Sequence, residues 1–254
     1  MKTPGWWQTK NLLAIALWPL SLCWRLAACL RMRFAKAEKL SIPVWCVGNV
    51  AAGGGGKTPF CLYLGKQMKQ ANINAYFIGR GYGGRLPGPL LVVPKTHTSS
   101  DVGDEALLLA ETLPTVIAHK RIQAARMAVK LGAKLLIMDD GLQYPHLDKD
   151  KTFLMLKGDK PLGNGLIMPA GPLRESFASA LKRSDVVVRM DAAARMNAGA
   201  MDVQVWNAKT SITIPELPSK KVIGFAGIAH PKLFERDLMN AGLDVVQFLS
   251  LIHI

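Results

Sequence analysis

The chain is short of acid. Its 254 residues carry 18 Asp and Glu against 32 Lys and Arg, a formal charge of +14. Such an imbalance points to an anionic partner: nucleic acid, a phosphorylated substrate or an acidic membrane surface. Cysteine is scarce as well. Cys23, Cys29, Cys46 and Cys61 all fall in the first quarter of the chain and form no paired framework, which argues against a disulfide-stapled scaffold and for a reduced, cytoplasmic compartment. The four thiols read as small apolar groups. No zinc-ligand spacing is present, and the aromatic residues (7 %) do not interleave with basic ones as in a nucleic-acid module, so no nucleic-acid partner is expected. Also missing is an uninterrupted apolar run of the about 20 residues that a membrane span needs: the run at 12–24 is broken by Arg25. Half of the residues are nonetheless hydrophobic, enough to core one large or two small domains.

What is present is a glycine loop. Val44-Trp45-Cys46-Val47 reads as a buried strand, and residues 51–58 follow as Ala-Ala-Gly-Gly-Gly-Gly-Lys-Thr. Glycines let the backbone curl so that N–H groups face phosphate oxygens, Lys57 can reach the β- and γ-phosphates, and the Thr58 hydroxyl suits Mg²⁺. A helix opening at Thr58 adds its positive end. Ala51 replaces the first glycine of the usual pattern. The nucleotide-binding set is therefore Ala51, Ala52, Gly53, Gly54, Gly55, Gly56, Lys57 and Thr58, and the plain alternative is a glycine-rich turn before a helix.

Residues 1–40 hold Lys2, Lys10, Arg25, Arg31, Arg33, Lys36 and Lys39 against Glu38 alone, with Trp6, Trp7, Trp18 and Trp24 among the apolar residues. Tryptophans suit the headgroup zone and each basic group near an anionic leaflet contributes about 1 kcal/mol, so an amphipathic helix docked at the interface is expected. The alternatives are a buried core helix and a lipoprotein cleavage box at Leu26-Ala27-Ala28-Cys29; Arg25 beside the box, and the export of an ATP site away from ATP, speak against the latter.

Strands are expected at 75–78, 90–93, 115–118, 134–138, 152–156 and 185–188, and helices at 58–70, 104–112 and 121–131. Alternating strands and helices predict an α/β fold: a mostly parallel, helix-covered sheet of the P-loop NTPase kind. The expected organisation is a membrane-associated helix at 1–40, a P-loop kinase domain at 41–201, extended linker strands at 202–220, and the start of an incomplete second α/β domain at 221–248. The last six residues, Leu-Ser-Leu-Ile-His-Ile, read as the translation of a common sequencing adapter, so 249–254 are set aside as a non-native tail and the chain is expected to be cut short.

Phosphoryl transfer needs a cradle, Mg²⁺ and a group that deprotonates or orients the acceptor. Asp139 and Asp140 end an apolar strand, where a Walker-B acid sits beside Thr58 and its metal. Asp104 and Glu105 open a helix; as plain caps they would need no further role, and as functional groups Asp104 is the base and Glu105 supports the metal. Arg80, Arg85, Arg121 and Arg174 can bind substrate phosphate or steady transition-state charge, with a structural ion pair as the alternative for each.

These motifs resemble one family. Val47-Gly48-Asn49 with Gly53-Gly54-Gly55-Gly56-Lys57-Thr58-Pro59, Arg80-Gly81-Tyr82-Gly83-Gly84, Val102-Gly103-Asp104-Glu105, Asp139-Asp140-Gly141-Leu142-Gln143 and Pro169-Ala170-Gly171-Pro172-Leu173-Arg174-Glu175 follow in the order of tetraacyldisaccharide 4′-kinases, the lipid A 4′-kinases of Gram-negative bacteria. Gly227-Ile228 with His230-Pro231 and Phe234 is similar to the start of that family's second domain. The resemblance implies transfer of the ATP γ-phosphate to the 4′-hydroxyl of a tetraacyldisaccharide 1-phosphate, with Mg²⁺, an acidic catalytic residue at Asp104, and docking on the cytoplasmic face of the inner membrane. Leu142 stands where the family more often has Phe, and the family's Asp-His motif lies beyond residue 254. A membrane-associated P-loop ATPase switch is the rival reading; it often carries an extra lysine where this chain has Ala52. A non-enzymatic membrane protein is the third.

Overall fold

The computed structural model describes residues 4–192, 203–211, 214–226 and 231–250. Two units are distinguished: Gly5–Ala208, and the remainder of the chain. The first contains strands β1 (Val44–Gly48), β2 (Ala75–Gly79), β3 (Leu90–Leu91), β4 (Thr115–Ile117), β5 (Leu135–Asp139), β6 (Lys151–Lys157), β7 (Val186–Met190) and β8 (Gln204–Ala208). Its helices are α1 (Leu12–Phe34), α2 (Lys57–Gln70), α3 (Ser99–Val102), α4 (Asp104–Ala110), α5 (Arg121–Lys130) and α6 (Phe177–Lys182). The eight strands form one sheet in the order β3-β4-β2-β5-β1-β6-β7-β8. Every pairing is parallel except that of β3 on β4, so the expected mostly parallel α/β sheet is present.

Strands covered on both faces must be apolar on both, and β1 is. Val47 joins a cluster with Phe60, Cys61 and Leu64 of α2, together with Phe77 and Phe153. Val44 and Cys46 join the opposite cluster with Ala124, Ala125 and Ala128 of α5. Gly65 brings α2 onto the sheet: a Cβ there would lie 2.6 Å from Cζ of Phe77.

The region 202–220, expected to be linker, gives five of its residues to the sheet. Gln204–Ala208 pairs in parallel with Val186–Met190 as an edge strand, anchored by Trp206, whose ring centroid is 5.7 Å from that of Phe153. An edge strand that buries little carries a weak apolar pattern, which is why the sequence reads as connector.

Helix α1 runs 23 residues, straight through Arg25, with the Asn11 side chain accepting from the Ala14 N–H at its start. The interruption by Arg25 therefore does not shorten it, and by length and composition the helix is long and apolar enough to cross a membrane (mean hydropathy 1.7). Only 11 % of its apolar window is buried, and Leu12, Ile15, Trp18, Leu20, Leu26 and Phe34 are exposed, which removes the core-helix alternative. Ala14 and Ser21 alone are fully covered.

In the second unit β9 (Lys221–Ala226) and β10 (Asp244–Ser250) pair in parallel across α7 (Pro231–Asn240), and the rings of Phe234 and Phe248 pack edge-on. Leu249 and Ser250, set aside above as tail, complete β10 opposite Phe225 and Ala226. Gly227, Ile228, His230 and residues 251–254 lie outside the described residues.

Candidate active site

Strands β1 and β5 run side by side in a register that pairs Val47 with Asp139, so the glycine loop and the Asp139-Asp140 pair leave the sheet together at its carboxyl edge, where open α/β sheets bind ligands. The loop needs its glycines. Gly56, the residue before α2, has φ 74°, a left-handed conformation that side chains disfavour. A Cβ on Gly55 would fall 2.0 Å from Nδ2 of Asn49. One part of the expected cradle is corrected: the Ala51 N–H donates to Asn49 Oδ1 (2.9 Å) and the Ala52 N–H to the Pro172 carbonyl (2.8 Å). Neither amide is free for phosphate, because the loop's entry is pinned to the 167–174 segment; the cradle narrows to 53–58.

Lys57, Thr58, Glu105, Asp139 and Asp140 meet here. Thr58 Oγ1 lies 3.5 Å from Glu105 Oε1, which brings the start of α4, and with it the exposed Asp104, to the loop's end. Asp139 is buried, and its Oδ1 has no hydrogen-bond partner. Burial first, and then the charge of Glu105, push its carboxyl up to about 6. Asp140 differs. Its Oδ1 is 3.5 Å from Lys57 Nζ, and Arg174 Nη1 donates to both of its oxygens at 3.0 Å. Burial alone would raise Asp140, but Lys57 and Arg174 outweigh it and hold the carboxyl below its ordinary value. The equal treatment of the two aspartates as metal ligands is thus refined: Asp139 has an oxygen to offer and Asp140 is spent on two cations.

An unpaired buried carboxylate oxygen costs free energy unless a cation or donor meets it, so Asp139 fits Mg²⁺. Among the described residues no group of three or more His, Cys, Asp or Glu could cage a metal by itself, which suits an ion held by one or two carboxylates and the phosphates it arrives with.

The expected substrate arginines also converge. Arg80, Arg121 and Arg174 line a cavity of about 340 Å³ together with Arg31, His119, His146 and one acid, Asp140. Arg121 Nη2 donates to the Asp140 carbonyl (3.2 Å) and its guanidinium lies over Tyr144; its Nε is buried without a partner, and burial lowers its pKa. Arg85 lies elsewhere, bound to Asp101 at 2.7 Å. Asp101 caps α3, and the Thr98 N–H and hydroxyl, with Arg85, hold its carboxyl down to about 2.

Gln143 was not singled out for a role. Its Nε2 donates to the Asn49 carbonyl (3.0 Å) and to Glu175 Oε1 (3.1 Å), and its Oε1 accepts from Arg174 Nη1 (3.2 Å). It ties the glycine loop, the strand-end aspartates and the Pro/Gly loop into one network. Its only sequence signal was its place in the Asp-Asp-Gly-Leu-Gln run, since a neutral amide bridging three loops leaves no spacing pattern.

The model of the family "Tetraacyldisaccharide-1-P 4'-kinase" matches residues 13–252. A tetraacyldisaccharide 4′-kinase of Rhodospirillum centenum is 39 % identical over 256 residues, covering 97 % of this chain and 76 % of the relative. One from Allorhizobium ampelinum is 41 % identical over 247 residues, covering 95 % and 72 %. Among solved structures, LpxK from Aquifex aeolicus in complex with ATP superposes with a TM-score of 0.79 at 26 % identity, over 94 % of this chain and 82 % of that one.

Proposed function

This chain belongs to the tetraacyldisaccharide-1-phosphate 4′-kinase family, and from that premise we propose how its residues divide the work of moving the ATP γ-phosphate to the 4′-hydroxyl of the lipid A precursor. It is an ATP-dependent phosphotransferase of lipid A biosynthesis. The observation that carries the division of labour is the meeting of Lys57, Thr58, Glu105, Asp139 and Asp140 at the end of β1 and β5.

The amides of 53–58 and Lys57 grip the phosphates. Thr58, Glu105 and Asp139 hold Mg²⁺, which when bound neutralises charge on the phosphate oxygens. Asp104, next to Glu105 on the first turn of α4, accepts the proton of the 4′-hydroxyl as its oxygen bonds to the γ-phosphorus and the bond to ADP breaks. Asp140 holds Lys57 and Arg174 in place, and Arg80, Arg121 and Arg174 receive the acceptor's anionic groups or the charge on the moving phosphoryl. The apolar α1, with seven basic residues and one acid within 1–40, docks on the cytoplasmic face of the inner membrane, where ATP and the lipid acceptor meet.

The test is incubation with Mg–ATP and tetraacyldisaccharide 1-phosphate in mixed micelles. Phosphate should enter the lipid fraction. ATP hydrolysis that leaves the lipid unlabelled and needs a protein partner would instead support the switch ATPase.

A further inference from the structure

One stripe of α1 faces the protein, and its polar contacts to the rest of the chain end on backbone groups next to the site. Ser21 Oγ donates to the Ile167 carbonyl (2.7 Å) and accepts from the Ala170 N–H (3.2 Å). Trp24 Nε1 donates to the carbonyl of Arg174 (3.1 Å). Arg31 Nη2 donates to the carbonyl of Gln143 (3.1 Å). Just ahead of the helix, Trp6 and Trp7 both donate through their indole N–H to the Pro169 carbonyl (3.3 and 3.2 Å). Residues 21, 24, 28 and 31 recur at the spacing of one helix face, and Ala28 is half-buried among these contacts.

The two residues held by Trp24 and Arg31 are the ones whose side chains meet over Asp140. Arg174 grips Asp140 and Gln143, and Asp140 touches Lys57. From the lipid-facing helix to the phosphate-binding lysine the path is therefore indole, Arg174, Asp140, Lys57. A helix needed only as an anchor requires no such contacts. Hydrophobic burial in lipid is indifferent to which carbonyl an indole N–H finds, whereas a guanidinium that must meet a phosphoryl group is sensitive to small displacements of its backbone.

We propose that α1 is a positioning element of the acceptor site as well as a membrane anchor, with Trp24 and Arg31 as positioning residues that fix the backbone of Arg174 and Gln143. This rests on the kinase reading given above. The role is distinct from docking, because the indole ring can remain in the interface while its N–H bond is lost.

Trp24→Phe keeps an aromatic ring and deletes the donor; Arg31→Gln is the second, independent variant. Each is compared with wild type at saturating vesicles of phosphatidylethanolamine and phosphatidylglycerol, scored per bound enzyme. Three quantities are read: kcat for the lipid acceptor, KM for Mg–ATP, and amide hydrogen exchange over 141–145 and 164–176. The expected result is a fall in kcat of about tenfold with KM for ATP unchanged, and faster exchange over 164–176 in Trp24→Phe and over 141–145 in Arg31→Gln, with α2 and β1 protected as before. Unchanged exchange over the segment that each variant releases overturns the proposal, and so does a loss of turnover that disappears once bound enzyme is counted. If wild-type protein transfers no phosphate to the lipid, the kinase reading fails, while the exchange measurement still decides whether Trp24 holds 164–176 and Arg31 holds 141–145.

Discussion

At the scale of single residues the site is organised by an asymmetry between neighbours. Asp139 is buried with an oxygen unmet, and Asp140 is saturated by Arg174 and Lys57. The asymmetry has a measurable consequence in nucleotide-free protein. The folded value of Asp139, about 6, lies above its ordinary 3.8, so the carboxyl costs nothing extra while protonated and progressively destabilises the fold as pH rises through about 6. At about 1.4 kcal/mol per pH unit the full cost is about 3 kcal/mol. Asp139→Asn should therefore be more stable than the parent at about pH 8, by up to about 3 kcal/mol, and should match it at about pH 4, as followed by urea unfolding. The same variant should lose the extra stabilisation that Mg²⁺ adds to ATP. Equal stability at both pH values would mean that Asp139 is solvated or paired. For Asp104 the expectation is kinetic: Asp104→Asn lowers kcat by a factor on the order of 10² to 10⁴ while KM for ATP holds. Parallel losses in both would leave it as a helix cap.

At the scale of elements the sheet and the apolar helix α1 were legible for different reasons. The parallel strands were readable because burial on both faces forces near-continuous apolar runs, as in Leu135-Leu136-Ile137-Met138. Strand β8 was legible as an extended linker strand but not as part of the sheet, because an exposed edge has no such run; Val205, Trp206 and Ala208 pack it on the core. The phosphate cradle was readable from Gly53 to Thr58 because φ above zero at Gly53 and Gly56 demands glycine. That Ala51 is spent on Asn49, two residues away, and Ala52 on Pro172 was not, since an amide turned onto a neighbouring side chain leaves no spacing pattern and a contact more than a hundred residues apart leaves no local mark. Nor could a run of apolar residues reveal that α1 turns one stripe to the protein and leaves the rest exposed. That division predicts that Leu20 and Leu26, both more than half exposed, serve the bilayer and not the fold. The double change Leu20→Asp with Leu26→Asp should weaken vesicle flotation by at least about tenfold and leave the melting temperature within about 2 °C. Binding by wild type should also fall as salt rises, since the basic groups of 1–40 act through a screened field. A large drop in melting temperature would place those leucines in the core instead.

At the scale of the whole molecule, the shortage of acid and the surplus of Lys and Arg suit the three anions that the proposed function calls for: a nucleotide, a phosphorylated acceptor and a lipid surface. The cavity lined by Arg31 of α1 with Arg80, Arg121, Asp140 and Arg174 joins α1 to the strand-end aspartate that touches Lys57, a place where, under that proposal, an amphiphile keeps its chains in the bilayer while its sugar reaches the γ-phosphate. The measurement that tests this most directly is phosphorus NMR of the lipid recovered after incubation of the chain with Mg–ATP and tetraacyldisaccharide 1-phosphate, run beside Lys57→Ala. The account predicts a second phosphomonoester, attached at the 4′ position, with the 1-phosphate intact, and formed at least about 10² times more slowly by the Lys57→Ala variant. A lipid returned unchanged, or phosphorylated equally well without Lys57, would contradict it.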